Sequence, residues 1–353
     1  MASSSEPAFC PNCHSKKIIR KGARKNQYRL APRYLCKACH RYFTFGGIPG
    51  AKYPPTIILK ALSLYNLGYS QTSVAERLSA RYSLRVSQRT ISSWITRYSS
   101  LCTFNKLRTK AIKLCFPNQM VSARRLKHRQ VYVYKYHQAK LELLQGILPR
   151  PEDYHRLREY LLSINNPRFP HRLFEQPADT VDSSKESWRS SQIKLRFLKI
   201  ANKRKENLAN QLASHGLLLA QSNRERHKQI EDFMLINDSS TIACEVPVYL
   251  TSENVKYFHE KGFYLPLTEE ETPITGHIDI VQVRQGYIHI LDYKPEARKL
   301  QPTSQLTIYA LALASHARLP LKLFKCAWFD EQDYFEFYPI QSVYPKRETQ
   351  PVS

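Results

Sequence analysis

"GHIDIVQVRQGYIHILDYKP", residues 276–295, places two aspartates and a lysine inside an otherwise apolar stretch. Its isoleucines and valines favour two β-strands, and a Gln-Gly dipeptide between them predicts a two-residue turn. If that turn is formed by Gln285 and Gly286, Arg284 pairs with Tyr287 and the register of the whole hairpin follows. The stretch therefore predicts an antiparallel hairpin whose pairing is set by the length of its turn.

In this register Asp279 lies opposite Asp292, with Cβ atoms about 5 Å apart on one face of the hairpin. Lys294 projects from the same face, because side chains two residues apart in a strand point the same way. Two facing carboxylates repel each other unless a cation lies between them, and a divalent metal ion would supply that charge. The three residues are thus a candidate metal centre; the alternative is an exposed, ion-paired hairpin.

Other polar residues precede and follow the hairpin in chain order. Glu245 lies in "TIACEVPVYL", which predicts a strand. His227 and Glu231 are four residues apart in the predicted helix before it, and Gln305 and Tyr309 are four apart in a predicted helix after the hairpin, so each pair shares a helical face. The order of helix, three strands, helix and closing strands predicts an α/β sandwich around a mixed central sheet.

The ordered set H…E…GxxD…DxK…QxxxY resembles the PD-(D/E)XK nuclease superfamily, most closely its RecB-like branch, over roughly residues 200–340. The resemblance implies a restriction-endonuclease-like fold and a bound Mg²⁺ or Mn²⁺ ion. The implied ligands are the carboxylates of Asp279 and Asp292 and the backbone carbonyl of Tyr293. Lys294 would orient and activate the attacking water or stabilise charge on the phosphate.

The same resemblance implies roles for the flanking residues. Glu245 would add a carboxylate or accept a proton, and His227 would complete the metal shell. Gln305 and Tyr309 would steady the site and the DNA backbone. The sequence departs from the family pattern just before His227, where the small residue usual at that place is missing, and a histidine on a helix surface is the alternative.

Charge is distributed very unevenly along the 353 residues, whose formal net charge is +25. Residues 1–141 hold 27 lysines and arginines but two acidic residues, whereas 142–353 hold 27 of each sign. Such polarisation predicts a polyanion-binding module joined to a module with a different task. DNA is the expected partner, since we find no basic amphipathic membrane anchor, no secretory signal and no run of roughly 18 apolar residues. We expect a cytoplasmic, nucleoid-associated protein.

Two C-x-x-C pairs, "CPNC" at 10–13 and "CKAC" at 36–39, predict a structural zinc site. Four unrelated free cysteines are the alternative. A module over residues 1–48 is too small to be stable unaided, so the metal would supply much of its folding energy, as in a zinc ribbon. Basic residues between the pairs predict a phosphate-facing surface; they include Lys16, Lys17, Arg20, Lys21, Arg24 and Lys25.

Three helical segments are predicted over residues 52–100. Gly68 ends the first, and Ser70 and Ser87 are suited to cap the second and third. This arrangement is typical of a helix-turn-helix, and an ordinary helical bundle is the alternative. Base edges would be contacted from the start of the third helix, by Gln88, Arg89, Ser92 and Ser93. The ribbon and these helices resemble the N-terminal DNA-binding part of insertion-sequence transposases.

We predict a helical basic connector and linker over 101–198 and a nuclease-like domain over 199–345. The function predicted from these parts is a metal-dependent DNA nuclease, acting as an endonuclease addressed to a site. A DNA-binding transcriptional regulator with a disused nuclease scaffold and a transposition-associated protein remain alternatives. The strandedness of the substrate stays open, as does the formation of a homodimer.

Overall fold

The structure, a computed structural model, describes residues 10, 12–13, 15–25, 30–44, 53–175, 188–190, 203–267 and 273–344. Its first unit is a three-stranded antiparallel sheet in the order β1-β2-β3. The strands are β1 (Ile18–Lys25), β2 (Leu30–Cys36) and β3 (Tyr42–Thr44). In the part of the chain that is described, no helix is long and apolar enough to cross a membrane.

Three short helices follow, as the sequence predicts. The Ser70 side chain accepts a hydrogen bond from Ser73 N at 3.1 Å, and that of Ser87 accepts one from Thr90 N at 3.2 Å, so both predicted caps are confirmed. Gly68 has φ +107°, a left-handed conformation that favours glycine in the turn. The helices are α1 (Pro55–Asn66), α2 (Gln71–Tyr82) and α3 (Gln88–Arg97).

A mixed sheet dominates the rest of the described chain. It has nine strands, eight of them in the order β4-β5-β8-β9-β10-β11-β12-β7, with β6 paired to β9. The β10–β11 and β6–β9 pairs are parallel and the other pairs are antiparallel. The strands are β4 (Val121–His128), β5 (Gln130–His137), β6 (Trp188–Arg189), β7 (Lys203–Lys205), β8 (Thr241–Leu250), β9 (Ile274–Arg284), β10 (Tyr287–Tyr293), β11 (Phe324–Phe329) and β12 (Tyr334–Phe337).

Helices cover both faces of this sheet, in agreement with the predicted layered architecture. One large apolar cluster contains residues of α6, α9 and α10, and a second contains residues of α1–α3, α7 and α8. These helices, with the shorter ones, are α4 (Asn105–Leu114), α5 (Gln138–Leu143), α6 (Pro151–Ser163), α7 (Leu208–Leu217), α8 (Arg226–Asn237), α9 (Ser252–Glu260), α10 (Thr303–His316) and α11 (Ile340–Val343).

The predicted connector over 101–198 is different in the structure. Strands β4 and β5 lie within it and extend the large sheet, since Lys135 and Tyr136 of β5 pair with β8. The reason is the alternation in "QVYVYKY", whose tyrosines and valines favour a strand more strongly than the neighbouring basic residues favour an exposed helix. Strands β4 and β5 are therefore part of the large sheet, and the boundary predicted at 198–199 lies outside the described residues.

The hairpin that ends in Asp292 folds as the sequence predicts. Gln285 has φ 52° and Gly286 has φ 76°, the two left-handed conformations of a tight hairpin turn. Arg284 pairs with Tyr287, and the register runs on to the Ile280–Leu291 pair. The predicted turn and register are thus confirmed, and Asp279 and Asp292 are the next residues on their strands.

Candidate active site

Asp279 and Asp292 lie side by side on β9 and β10, at the end of the hairpin away from its turn. Asp279 Oδ2 accepts a hydrogen bond from Tyr293 N at 3.2 Å, which ties its carboxylate to the neighbouring strand. Lys294 Nζ lies 2.9 Å from Asp292 Oδ2, so the lysine is ion-paired to the second carboxylate. Asp292 is 3 % exposed. The result is an acid pair, with Asp292 buried and Asp279 half-buried, beside one ammonium group.

Helix α8 brings two further candidate metal ligands, His227 and Glu231, to the acid pair. His227 Nδ1 lies 3.7 Å from Asp279 Oδ2. Ligand atoms of His227, Glu231 and Asp279 all lie within 4.8 Å of one another, close enough to share one metal ion. Glu231 is buried and was not predicted as a ligand. Its spacing of four residues from His227 was the signal in the sequence, because such residues share a helical face.

The side chain of Tyr293 supports the histidine. Its ring packs edge-on against the His227 ring, with centroids 5.1 Å apart. The Tyr293 hydroxyl donates to Glu331 Oε1 at 2.8 Å and accepts from Arg226 Nη2 at 3.1 Å. Arg226, which directly precedes His227, is thus used in this contact. A ligand role for the Tyr293 carbonyl stays a prediction.

Glu245 has a backbone conformation that few non-glycine residues adopt. Its φ is 53°, in the middle of β8, between the Cys244–Ile280 and Val246–Ile278 pairs. Left-handed backbone within a strand costs free energy and concentrates at functional sites. This local twist occurs directly beside Asp279, and Glu245 and Asp279 line the same pocket.

Helix α10 supplies the predicted polar pair. Gln305 Nε2 donates a hydrogen bond to the Tyr309 hydroxyl at 2.8 Å. Tyr309 is 5 % exposed and also hydrogen-bonds to Ser190, directly after β6. Both α10 residues line a cavity of about 240 Å³ that opens beside the acids; its wall also includes Tyr132, Arg189, Ser190, Glu245 and Asp279. Tyr132 and Arg189 were not predicted, since their distance in sequence from the acids hides their proximity.

Burial and the neighbouring charges together set the pKa values of the acids in the site. Burial and the charge of Asp279 raise the pKa of Asp292 well above its ordinary value, against the effect of Lys294. Burial acts to raise the pKa of Asp279 too, but hydrogen bonds with His227 and Asp292 and the Lys294 charge outweigh it and lower that pKa. Burial, then the charges of Glu245 and Asp279, raise the pKa of Glu231. Without a cation the cluster therefore retains protons that a divalent ion would displace.

This crowding predicts a pH dependence of stability in the metal-free protein. Burial and the Asp279 charge raise the pKa of Glu245 to about 8, against the effect of Lys135. The folded chain then holds a proton that the unfolded chain has lost, so the free energy of unfolding should fall as pH rises from about 4.5 to about 8. Denaturation midpoints with EDTA should show this slope. Glu245→Gln should reduce it, and an unchanged slope in that variant would contradict the assignment.

Gly276 permits close packing at the edge of the cavity. A Cβ atom there would overlap the Tyr309 ring and lie 2.8 Å from Ser190 Oγ. We expect Gly276→Ala to lower the free energy of unfolding by about 1–3 kcal/mol and to displace Tyr309. Urea denaturation checks this. Gly146→Ala is the matched control, because a Cβ there meets nothing within 4 Å, and equal losses in both variants would contradict the prediction.

The four cysteines of the predicted zinc site converge in the N-terminal sheet. Their ligand atoms lie within 4.8 Å of one another, with Cys10 Sγ 3.7 Å from Cys39 Sγ and Cys13 Sγ 3.5 Å from Cys36 Sγ. A hydrogen bond from the Arg41 backbone lowers the pKa of the Cys39 thiol to about 6, which favours the thiolate that a metal binds. The cluster fits zinc.

The predicted DNA-binding residues lie mostly on the surface. Lys16, Lys17, Arg20 and Lys21 are exposed along the start of the N-terminal sheet, whereas the side chains of Arg24 and Lys25 are outside the described part. In α3, Ser92 is half-buried. The other three predicted base-contacting residues of α3, Gln88, Arg89 and Ser93, are exposed. Contact with DNA by either group stays a prediction.

Comparison with known families supports the geometry of the large sheet. The family model of the PD-(D/E)XK nuclease superfamily matches residues 171–336. This matched part of the chain, which is similar to that superfamily, carries every candidate catalytic residue. No solved structure matches the chain. The match begins after β4 and β5, so these strands extend the sheet beyond the matched region.

Proposed function

We propose that the chain is a metal-dependent DNA nuclease that hydrolyses phosphodiester bonds within a strand, at sites selected by its N-terminal part. One observation carries the proposal: two carboxylates, a lysine and a helix histidine, distant in sequence, meet beside one cavity in a superfamily of nucleases. A scaffold that had lost its activity would be free to lose one of these groups. Here Asp279, Asp292 and Lys294 are all present.

The donor groups suit a hard divalent cation. Carboxylate oxygens with one imidazole nitrogen are a usual ligand set for Mg²⁺ or Mn²⁺ in proteins. We propose Asp279, Asp292, Glu231 and His227 as its ligands, with Glu245 and the Tyr293 carbonyl beside them. When bound, such an ion lowers the pKa of water and stabilises charge on a phosphoryl group.

The remaining side chains position the substrate and move protons. Lys294, held by Asp292, places a fixed positive charge where the phosphate gains negative charge, and it orients the attacking water. Glu245 adds a carboxylate to the site or accepts a proton. Gln305 and Tyr309 contact the DNA backbone from α10. The expected products carry 5′-phosphate and 3′-hydroxyl ends.

Targeting is assigned to the basic N-terminal third of the chain. Residues 53–100 contain six basic residues and one acidic residue, and α3 presents Arg89 and Gln88 to solvent. Arginine and glutamine side chains can each form two hydrogen bonds with a base edge in the major groove. The exposed lysines of the N-terminal sheet are suited to phosphates.

A cleavage assay tests this function. Closed circular plasmid, linear duplex and single-stranded DNA are each incubated with the protein and Mg²⁺ or Mn²⁺, with EDTA as the blank. Nicking or linearisation of the plasmid supports an endonuclease, and shortening of linear DNA alone indicates an exonuclease. Binding without cleavage under either metal would favour a regulator, and joined products would favour a role in transposition.

Zinc binding has a separate test. Cys36→Ser should remove zinc from the purified protein, reducing metal content from about one ion per chain to near zero, because four thiolates are needed to close the tetrahedral site. Elemental analysis measures this. Cys115→Ser is the control, since Cys115 lies outside the cluster. Full zinc content in Cys36→Ser would refute the site.

A further inference from the structure

Helix α1 of the predicted DNA-binding unit packs directly on α8, the helix that carries His227 and Glu231. Ile58 and Leu62 of α1 are buried in the same apolar cluster as Phe233 of α8. The cluster continues through α2 and α3 and reaches Leu291 and other residues of the large sheet. The three helices are therefore part of one core with the nuclease-like sheet.

Buried hydrogen bonds join α1 to the end of α8. Asn66 Nδ2 donates to Asn237 Oδ1 at 2.9 Å, and Asn237 Nδ2 donates to Ser63 Oγ at 2.9 Å and to Phe233 O at 3.0 Å. Asn66 and Asn237 are 1 % and 0 % exposed. Hydrogen bonds between buried amides require defined geometry, so they fix the relative orientation of the two helices.

Arg108 of α4 forms a second connection, which joins α4 to the end of α1 and to the turn at Gly68. Its Nε donates to Tyr65 O at 2.7 Å, and its Nη2 donates to Gly68 O at 3.1 Å and Tyr69 O at 2.9 Å. The guanidinium also lies 3.8 Å from the centre of the Tyr65 ring. One side chain thus binds carbonyl groups at the end of α1 and in the turn before α2.

The segment that follows α3 is hydrogen-bonded to the end of α8 and to the residues directly after it. Phe104 N donates to Asn237 O at 3.0 Å, and Thr103 Oγ1 donates to Asp238 Oδ1 at 3.2 Å. Ser239 N donates back to Thr103 Oγ1 at 2.9 Å. These hydrogen bonds hold the segment that follows α3, which therefore does not act as a flexible linker.

From these three connections we infer that α3 and the metal-ligating end of α8 form one rigid body, which sets a constant distance between the recognised DNA sequence and the cut bond. The inference rests on the proposed nuclease function. Packed interfaces of pre-organised parts shift by about 1 Å or less, whereas base pairs are spaced by about 3.4 Å. The cut should therefore vary by about one nucleotide at most.

The test is cleavage of a randomised duplex library by the full chain, followed by sequencing of the fragment ends. We expect an enriched sequence on one side of the cut and a single offset per strand. Offsets spread over about ten nucleotides, one helical turn, would overturn the inference while leaving the nuclease function intact. An absence of cleavage would overturn both.

Asn66→Ala provides a second test, because it removes the Asn66–Asn237 hydrogen bond of the α1–α8 joint and changes no candidate metal ligand. It should broaden the offset distribution at least twofold while plasmid cleavage continues. Asn165→Ala is the matched control; Asn165 is half-buried and outside the joint. Equal broadening in both variants would contradict the assigned role of the joint, as would an unchanged distribution in a folded Asn66→Ala protein.

Discussion

Replacing Asp292 by asparagine should reduce DNA cleavage by about 100- to 1,000-fold, the order expected when one group that stabilises transition-state charge is lost. The amide has nearly the shape of the carboxylate, but it carries no charge to hold a divalent cation or to fix Lys294, whose ammonium lies 2.9 Å from Asp292 Oδ2. Initial rates with wild-type and variant protein in Mg²⁺ and Mn²⁺ measure the effect.

Stability provides the internal control for this variant. Burial, together with the charge of the adjacent Asp279, raises the pKa of Asp292. Removing one charge should leave the melting temperature of the metal-free protein unchanged or higher. Asp153→Asn, also buried but on α6 in an ion pair with Arg150, should keep its cleavage rate. Undiminished cleavage by a folded Asp292→Asn protein would refute the proposed active site.

Lys140→Met should lower the free energy of unfolding by about 3–5 kcal/mol, because each buried carbonyl that loses its donor costs about 1–3 kcal/mol. Lys140 lies on α5 and is completely buried. Its Nζ donates to Leu235 O at 2.6 Å, to Thr241 O at 2.9 Å and to Asp238 O. Methionine fills similar space but leaves these carbonyls, at the end of α8 and the start of β8, without their donor.

Chemical denaturation of wild type and variant gives this difference directly. Lys322→Met, at an exposed position, should change stability by about 0.5 kcal/mol or less. Burial lowers the pKa of Lys140 to about 7, although Asp238 acts to raise it. The unfolded chain therefore binds the proton more tightly, and wild-type stability should rise between pH 7 and 10.5, so the gap to Lys140→Met should widen with pH. Equal losses in the two variants would contradict the role of Lys140.

Features defined by neighbouring residues were predictable from the sequence. The two-residue length of the connection predicts the tight turn at Gln285 and Gly286. This turn determines the register that brings Asp279 beside Asp292. Ser70 and Ser87 cap their helices because a hydroxyl needs to reach a backbone N–H only three residues ahead. Short C-x-x-C spacing likewise made the thiolate cluster predictable.

Residues whose role depends on distant partners were not predictable in the same way. Glu231 is a candidate ligand only because α8 packs across β8 and β9, and Tyr132 reaches the cavity only because β5 pairs with β8 across about a hundred residues. A connector was expected where strands β4 and β5 extend the sheet. The hydrophobic pattern of a strand does not specify which other strand it will pair with in the sheet.

By itself, the sequence determined the local parts: a hairpin with a facing acid pair, a four-cysteine cluster, three capped helices and a basic N-terminal third. Only the tertiary structure decided how those parts are joined. It brought His227 and Glu231 to Asp279, and it seated α1 on the same helix through Asn66 and Asn237. The physical reason is range: turns and caps are stabilised within a few residues, whereas packing of one buried face against another depends on the whole core.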